Sequence, residues 1–477
     1  MIRYTLGWIL LFETVFFAVP LITAAVYWEG AFFAFLISAA ISGALGALMT
    51  FKKPQSTAIY AREGFVIVSL SWIALSLFGA LPFMFSGATE SFVDALFETA
   101  SGFSTTGASI FGEVESLPKS ILIWRSFTHW IGGMGVLVFV MAFLPLGGGQ
   151  NMHIMRAESP GPEVSKLVPR VKNTAIILYI IYFVMTLIMF IILLISGMSV
   201  FDAVNTAFST AGTGGFGIKN DSLGSFGAAQ QIIVTVFMLL FSVNFNSYYL
   251  VMRLKFKEAF NSEVRAFILI VLAAIAIVTV NIVNTPGIGG NVGDALRHAA
   301  FTVASLISTT GFSTVDFNLW PDLSHTVLLI VMFIGACAGS TGGGIKVSRI
   351  IILIKGMFRE IRTIINPRRV QKISIDSRPV DREVIRSVNA YITTFILTFT
   401  VSLIAISFED RDLITNFTAV TATINNVGPG LGGVGPMSNY ADFSAFSKLV
   451  LTFDMLAGRL ELFPMLLLFA PSTYKRS

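Results

Sequence analysis

STTGAS (104–109), GTGGFG (212–217), STTGFS (308–313) and NNVGPG (425–430) recur about every hundred residues, each after a short amphipathic stretch. A unit repeated four times reads as a ring. In an apolar chain, four such turns would set backbone carbonyls around one axis, which is how proteins replace the hydration shell of a potassium ion. Any one of these glycines alone is better read as a helix kink or a close packing point. Four in register favour a cation pore. Glycine adopts cheaply the backbone conformations that a carbonyl-lined turn needs, and non-helical backbone at membrane depth must line a cavity or be buried in protein.

The rest of the chain supports a membrane setting. Of its 477 residues 55% are hydrophobic and 12% charged, well below the charged share of soluble domains. Apolar stretches able to span the hydrocarbon layer fall near 5–27, 31–50, 64–86, 120–145, 172–197, 228–252, 264–284, 324–353, 389–408 and 445–470. Glu13 interrupts the first run and a second span follows directly, so the N-terminal segment reads as retained rather than as a cleaved signal. The single cysteine, Cys337, excludes an intramolecular disulfide.

Lysine and arginine set the expected orientation. The connections at 51–63, 146–172, 253–265 and 355–386 are basic, as is the Lys475, Arg476 tail, so these faces and both termini are expected to be cytoplasmic. The alternate connections carry Glu113, Glu115, Asp221, Asp316, Asp322, Glu409, Asp410 and Asp442 with few bases, so the glycine turns enter from outside. The net charge of +5 reflects the cytoplasmic loops; no basic groove with interleaved aromatics suggests nucleic acid.

After the first two spans each unit reads as span, short helix, glycine turn, span. Asp94, Asp202, Asp294 and Asp412 stand 13, 12, 17 and 16 residues before Gly107, Gly214, Gly311 and Gly428. Read as helix caps, they predict third and fourth short helices longer by about one turn. The C-terminal ends of these helices, partially negative, would then point at the axis and favour a cation.

SGFSTTGAS (101–109), AFSTAGTGGF (207–216), SLISTTGFST (305–314), NNVGPG (425–430), WRSFTHWIGGMG (124–135) and AGRLELFP (457–464) together resemble the Trk/Ktr/HKT superfamily of cation transporters over essentially the whole chain. The two extra N-terminal spans resemble its TrkH type rather than the shorter KtrB type. The resemblance implies an all-α polytopic membrane protein: four pseudo-symmetric helix, pore loop, helix units around one pore, plus two N-terminal transmembrane helices. The boundaries fall at 1–60 for the N-terminal pair and at 61–150, 151–260, 261–385 and 386–477 for the four units. By the family pattern the selectivity filter that binds K+ comprises Thr105, Thr106 and Gly107; Gly212, Thr213 and Gly214; Thr309, Thr310 and Gly311; and Asn426, Val427 and Gly428. Gly107, where a serine goes with sodium preference in the family, implies potassium. In the second segment Gly212 replaces the threonine of the first and third.

The resemblance further implies a homodimer in the inner membrane of a bacterial cell, each chain with its own pore, surrounded by membrane lipid and regulated by a cytoplasmic ring of TrkA-like nucleotide-binding subunits. No cofactor is implied, K+ being the transported ion. The basic stretches 355–386 and 146–172 are the expected docking surfaces.

Two features suggest a gate. GACAGSTGGG (335–344) is too rich in glycine for a stable helix interior, each glycine costing about 1 kcal/mol relative to Ala. Through Gly335, Gly339, Gly342, Gly343 and Gly344 it resembles the family's intramembrane gating loop. Arg459 sits mid-span, where an unpaired charge would cost at least about 2.5 kcal/mol. It resembles the family's pore arginine; the alternative is an ion pair with Asp454 or Glu461. His129 reads as packed at a helix interface, and Lys346 and Arg349 as snorkelling to the cytoplasmic surface.

GTGGFG fits a dinucleotide fingerprint but lacks the strand and helix around it, and in GGGIKVS (342–348) Ile345 separates glycine from Lys346, breaking the phosphate-loop pattern. No nucleophile and base arrangement suggests an enzyme. The expected function is potassium uptake through a gated, channel-like pore. The alternative is an ion-coupled symporter or a sodium-permeable transporter, which would require a titratable carboxylate at membrane depth; the sequence offers no compelling one.

Overall fold

Helices account for nearly all regular structure in the computed structural model, which describes residues 1–54, 61–135, 171–285, 290–367, 372–376 and 378–473. The chain is an all-α polytopic membrane protein. The only strands among the described residues are a two-residue pair, Ser374–Ile375 against Arg378–Pro379.

The N-terminal pair comprises Ile2–Phe16, running on into Ala18–Val26, and Ala31–Thr50. Small residues let the two backbones approach: a Cβ on Gly7 would lie 2.9 Å from the carbonyl oxygen of Gly46. The pair is fastened to the first unit through Phe17 and Phe35, whose rings meet Trp124 at 4.7 and 6.3 Å between centroids.

Four units follow. Their first helices are Ala61–Gly79, Val171–Ile195, Ser262–Ile282 and Arg382–Ile406. The short inward helices are Phe92–Phe103, Val200–Gly212, Val292–Ile307 and Leu413–Ile424, and the second helices are Lys119–Gly133, Ala228–Phe241, Asp322–Ile334 and Ala445–Arg459.

Among the described residues, six helices are long and apolar enough to cross a membrane, or seven if one bent pair counts as a span. The sequence suggested ten, because the second helices look continuous in hydropathy and are not. Each breaks after 13 to 15 residues. The first stops at Gly133, with Gly135 in the left-handed region, and residues 136–145 of the span expected there lie outside the described residues. The second bends by 90° between Phe241 and Phe245. The third opens into the glycine loop at Gly335, and the fourth turns through Glu461 and Leu462, both at positive φ. Only the third break was legible as glycine.

Three of the four short helices are capped one turn earlier than expected. Ser91, Ser199 and Asn291 accept from the backbone N–H of Asp94, Asp202 and Asp294, and only Asp412 is itself a cap, accepting from Thr415 N–H at 2.9 Å. The expected aspartate caps therefore hold for one unit of four. This also corrects the lengths: the third helix has 16 residues, but the fourth has 12, like the first.

Candidate functional site

All four short helices end in one motif. Thr105, Thr213, Thr309 and Asn426 adopt φ of 57, 54, 58 and 56°. Their N–H groups reach back three residues, and those of Thr106, Gly214, Thr310 and Val427 reach back five, to Ser101, Ser209, Ser305 and Ala422, at 2.8–2.9 Å. This is a Schellman closure, in which glycine is usual at the left-handed position. A threonine there is strained, a feature that clusters at functional sites.

The next residue but one in each turn is a glycine at positive φ: Gly107, Gly215, Gly311 and Gly428. The four close a cycle. A Cβ on Gly107 would overlap the carbonyl oxygen of Gly214, one on Gly215 that of Thr310, one on Gly311 that of Val427, and one on Gly428 that of Thr106. Each turn thus rests against the next, and the fourth against the first.

That register corrects the sequence alignment in the second segment. Gly212, the last residue of its helix, takes the place that Ser104 holds just after the first, and Thr213, Gly214 and Gly215 match Thr105, Thr106 and Gly107. The three glycines of GTGG leave the register open by sequence alone; the left-handed residue decides it. The apparent loss of a threonine disappears, since Thr213 holds the matching place.

The side chains at the left-handed position are not fourfold alike. Thr105 Oγ1 is buried with no hydrogen-bond partner among the described residues. Thr213 bonds its neighbour's carbonyl, Thr309 accepts from Gly343 N–H at 2.6 Å, and Asn426 donates to Thr106 Oγ1 at 3.0 Å and to the Met455 carbonyl at 2.8 Å. On the side away from the glycine loop, a polar cavity of about 120 Å³ is bounded by Gly107, Gly215, Gly311 and Gly428, with Asn220 and Tyr440 on its wall.

Behind the ring stands a buried brace that the sequence reading missed. Glu98 meets Arg125 at 2.7 Å, with both side chains almost fully enclosed. Glu98 also accepts from Ser109 and from Ile110 N–H, while Arg125 donates to the Gly217 carbonyl and lies over the Phe216 ring at 4.2 Å. The brace therefore joins the first turn to the second. An ionisable residue within a transmembrane segment is the signal that could have found it. His129 is packed, as read: its Nδ1 lies 2.8 Å from the Gly102 carbonyl and its ring against Phe216.

The glycine loop lies directly beneath the ring. Gly344 N–H donates to the Asn425 carbonyl at 3.0 Å, and a Cβ on Gly343 would overlap that same carbonyl. Gly335, Gly339 and Gly344 take positive φ, while Gly342 packs against Ala336 and the Ser308 carbonyl. Arg459 spans the space below, donating to the carbonyls of Thr341 (2.8 Å), Gly132 (2.5 Å) and Gly133 (2.6 Å). Its two suggested acids are engaged elsewhere: Asp454 accepts from Ser402 at 2.7 Å, and Glu461 pairs with Arg349.

Lys346 and Arg349 do not snorkel. Both are buried: the Lys346 ammonium donates to the Gly342 carbonyl, and Arg349 pairs with Glu461 and stacks on Tyr391 at 3.9 Å. Acceptors inside the protein hold them there.

The fold and the ring together define a multi-pass membrane protein of four pseudo-equivalent units whose inward turns meet around one axis. A family profile described as a cation transport protein, TrkH, matches residues 31–475. The chain is 35% identical to the Trk system potassium uptake protein TrkH of Halomonas elongata, over 100% of this chain and 99% of that one. It is also 35% identical to the protein of the same name from Escherichia coli K12, over 96% and 95%. The crystal structure of the potassium transporter TrkH from Vibrio parahaemolyticus superposes with a TM-score of 0.89 at 32% identity, covering 99% of each chain. The chain belongs to the TrkH family of cation transport proteins, and is a transporter rather than an enzyme.

Proposed function

We propose that this chain mediates potassium uptake across a bacterial inner membrane, through a channel-like pore on the axis of its four units. One observation carries the reading: the third-position glycines Gly107, Gly215, Gly311 and Gly428 each abut the second-position carbonyl of the next turn. Such a cycle brings four turns of carbonyl-bearing backbone together at membrane depth, where they can replace the water shell of a cation. The proposed filter is Thr105–Gly107, Thr213–Gly215, Thr309–Gly311 and Asn426–Gly428. Glycine at all four third positions supports potassium, as do the relatives named potassium uptake proteins. The partial negative charge of four helix ends directed at the turns adds to the attraction for a cation.

The glycine loop is the gate and Arg459 its electrostatic barrier. Two chains pair as a homodimer, and a TrkA-like nucleotide-binding ring docks on the basic loops, 355–386 and 146–172, the latter outside the described residues except at its last two positions. Flux of potassium, rubidium, sodium and lithium into sealed liposomes containing only this chain tests the reading. Potassium and rubidium flux lost in Gly311→Ser supports it; sodium flux of similar size overturns the potassium preference.

A second reading, ion-coupled symport, gains support from the side chains of Glu13 and Asp454. Both are fully buried carboxylates within helices of the membrane region, and both Glu13 oxygens and Asp454 Oδ2 have no hydrogen-bond partner among the described residues. Strict dependence of potassium flux on an imposed proton gradient, lost in Glu13→Gln or Asp454→Asn, would favour it.

A further inference from the structure

The 90° bend in the second unit has a consequence on the outer wall of the protein. Beyond it, Phe245–Met252 turns aside from the line of Ala228–Phe241, and the wall facing Ser262–Ile282 opens. The result is a groove of about 310 Å³ lined by Leu239, Val243, Val251, Phe260, Phe267 and Val271, almost wholly apolar. Ser247 and Tyr248 also border it, but the Tyr248 hydroxyl is committed to the Leu240 carbonyl.

At the end of the groove formed by Ala259 and Phe260, the connection between the second and third units and the first turn of the helix after it carry four exposed cations in thirteen residues: Arg253, Lys255, Lys257 and Arg265. Glu258 meets Lys255 at 3.1 Å and Asp376 meets Arg265 at 3.5 Å, so positive charge remains in excess. Leu254, Phe256 and Phe260 stand exposed among these cations. An apolar slot between transmembrane helices, ending in a basic rim interleaved with exposed apolar side chains, matches one ligand chemistry: an acyl chain joined to an anionic phosphate. Basic pockets between transmembrane helices on the positively charged side of a membrane protein recognise such headgroups.

We propose that this groove holds an acyl chain of an anionic phospholipid, with its phosphate at Lys255 and Lys257. A second copy of the chain fits less well, because in a two-fold contact centred on this face the cationic rims would oppose each other.

The site is coupled to the glycine loop through both of its walls. The Ser242 carbonyl, beside Val243, accepts from Cys337 N–H at 3.1 Å, and Phe245 N–H donates to the Gly339 carbonyl at 3.0 Å. On the facing helix Glu263, beside Val264, accepts from Ala338 N–H at 2.8 Å and Ser348 N–H at 3.1 Å. Resting on the reading of that loop as the gate, lipid in the groove braces the elements that anchor it, so headgroup composition tunes flux.

The test separates binding from gating. The full chain is reconstituted in nanodiscs of phosphatidylcholine with a minor share of phosphatidylglycerol, and retained lipid is counted by native mass spectrometry. Lys255→Ala with Lys257→Ala is expected to lower phosphatidylglycerol retention by about fivefold per lysine, with phosphatidylcholine unchanged. Ile268→Trp, which fills the groove from its lipid side, is expected to lower both. Unchanged retention in both variants overturns the proposal. So does a shift from dimer to monomer with retention intact, which would make the groove an interface between copies. In sealed vesicles, flux should rise with phosphatidylglycerol content in the parent chain and lose that dependence in the double-lysine variant. Retention that follows the variants while flux ignores the headgroup upholds the lipid site and counts against the loop as gate.

Discussion

The backbone N–H of Gly343 donates to Oγ1 of Thr309 at 2.6 Å, so the glycine loop is tied to a residue of the ring itself. The neighbouring amide, Gly344 N–H, is tied to the carbonyl of Asn425 in the fourth turn. The loop is therefore held from two of the four turns, and it cannot move away without leaving Thr309 Oγ1 and the Asn425 carbonyl to find other partners. Ring and loop form one mechanical unit.

Thr309→Val keeps the shape and the branched Cβ at this left-handed position but removes the acceptor. A net hydrogen bond is worth about 0.5–1.5 kcal/mol, so the closed loop should lose that much and potassium flux into liposomes should rise about two- to tenfold. The order of cation preference should not change. Lower flux in a folded variant would argue that the hydroxyl serves the ion rather than the loop.

The corrected register makes a separate prediction. Gly215, not Gly214, shares the left-handed φ and the carbonyl contact of Gly107, Gly311 and Gly428. Gly215→Ser should therefore alter cation preference, and Gly107→Ser should do the same. Gly214→Ala instead drives a methyl into the His129 ring, and should act through stability, seen as a lower melting temperature in detergent. Selectivity unchanged in a well-folded Gly215→Ser variant would restore the other alignment.

Arg459 joins the Thr341 carbonyl of the loop to Gly132 and Gly133 at the end of the first unit's second helix. Arg459→Ala removes both the charge and the strut, and should raise flux. Arg459→Lys keeps the charge but cannot fork across both carbonyl sets; an intermediate flux is expected. Flux equal to that of the parent chain in a folded Arg459→Ala variant would remove the barrier role.

Much of this architecture was legible because glycine in a repeated turn is a backbone demand written in the sequence. The fourfold ring and the third helix break followed from it, while the N-terminal pair followed from its two apolar spans. What stayed hidden depends on contacts between units. Neither Phe241–Phe245 nor Leu460–Leu462 contains a glycine or proline, and apolar residues continue on both sides, so those breaks look like helix. Ser91, Ser199 and Asn291 stand three residues before the aspartates credited with capping, a distinction that only backbone geometry makes. Lys346 and Arg349 near a helix end suggest snorkelling, until Glu461 and the Gly342 carbonyl are seen beside them. Glu98 and Arg125 are 27 residues apart and become a pair only when the first inward helix packs on the second helix of its unit.

Asp412 is the one carboxylate that caps its own inward helix, and its bonds to the Thr415 hydroxyl and then to the Thr415 N–H hold it below the usual aspartate range. A depressed carboxylate contributes stability that is present above its unfolded value and lost as pH falls through its folded value. Asp412→Ala should cost about 1 kcal/mol, whereas Asp412→Asn keeps the acceptor and should cost less. The difference in melting temperature between the parent chain and Asp412→Asn should shrink as the pH is lowered below the ordinary aspartate range. A difference that is constant with pH would remove the charged cap.

The Glu98 and Arg125 pair gives the sharpest test of what holds the ring in shape. With both side chains enclosed, removing one partner strands the other charge, a loss of about 3–5 kcal/mol in comparable buried pairs. Glu98→Ala should therefore lower the melting temperature strongly, and since Arg125 also holds the Gly217 carbonyl and the Phe216 ring, it should blur the potassium to sodium ratio of any protein that still folds. Replacing both residues by apolar side chains of similar size, Glu98→Leu with Arg125→Met, should recover much of the stability because no charge is left buried. It should not recover the selectivity, because Ser109, Ile110 and Gly217 lose the partners that position the first two turns. If the double variant regained both, the pair would matter only for folding, and the shape of the ring would have to be set by the turns alone.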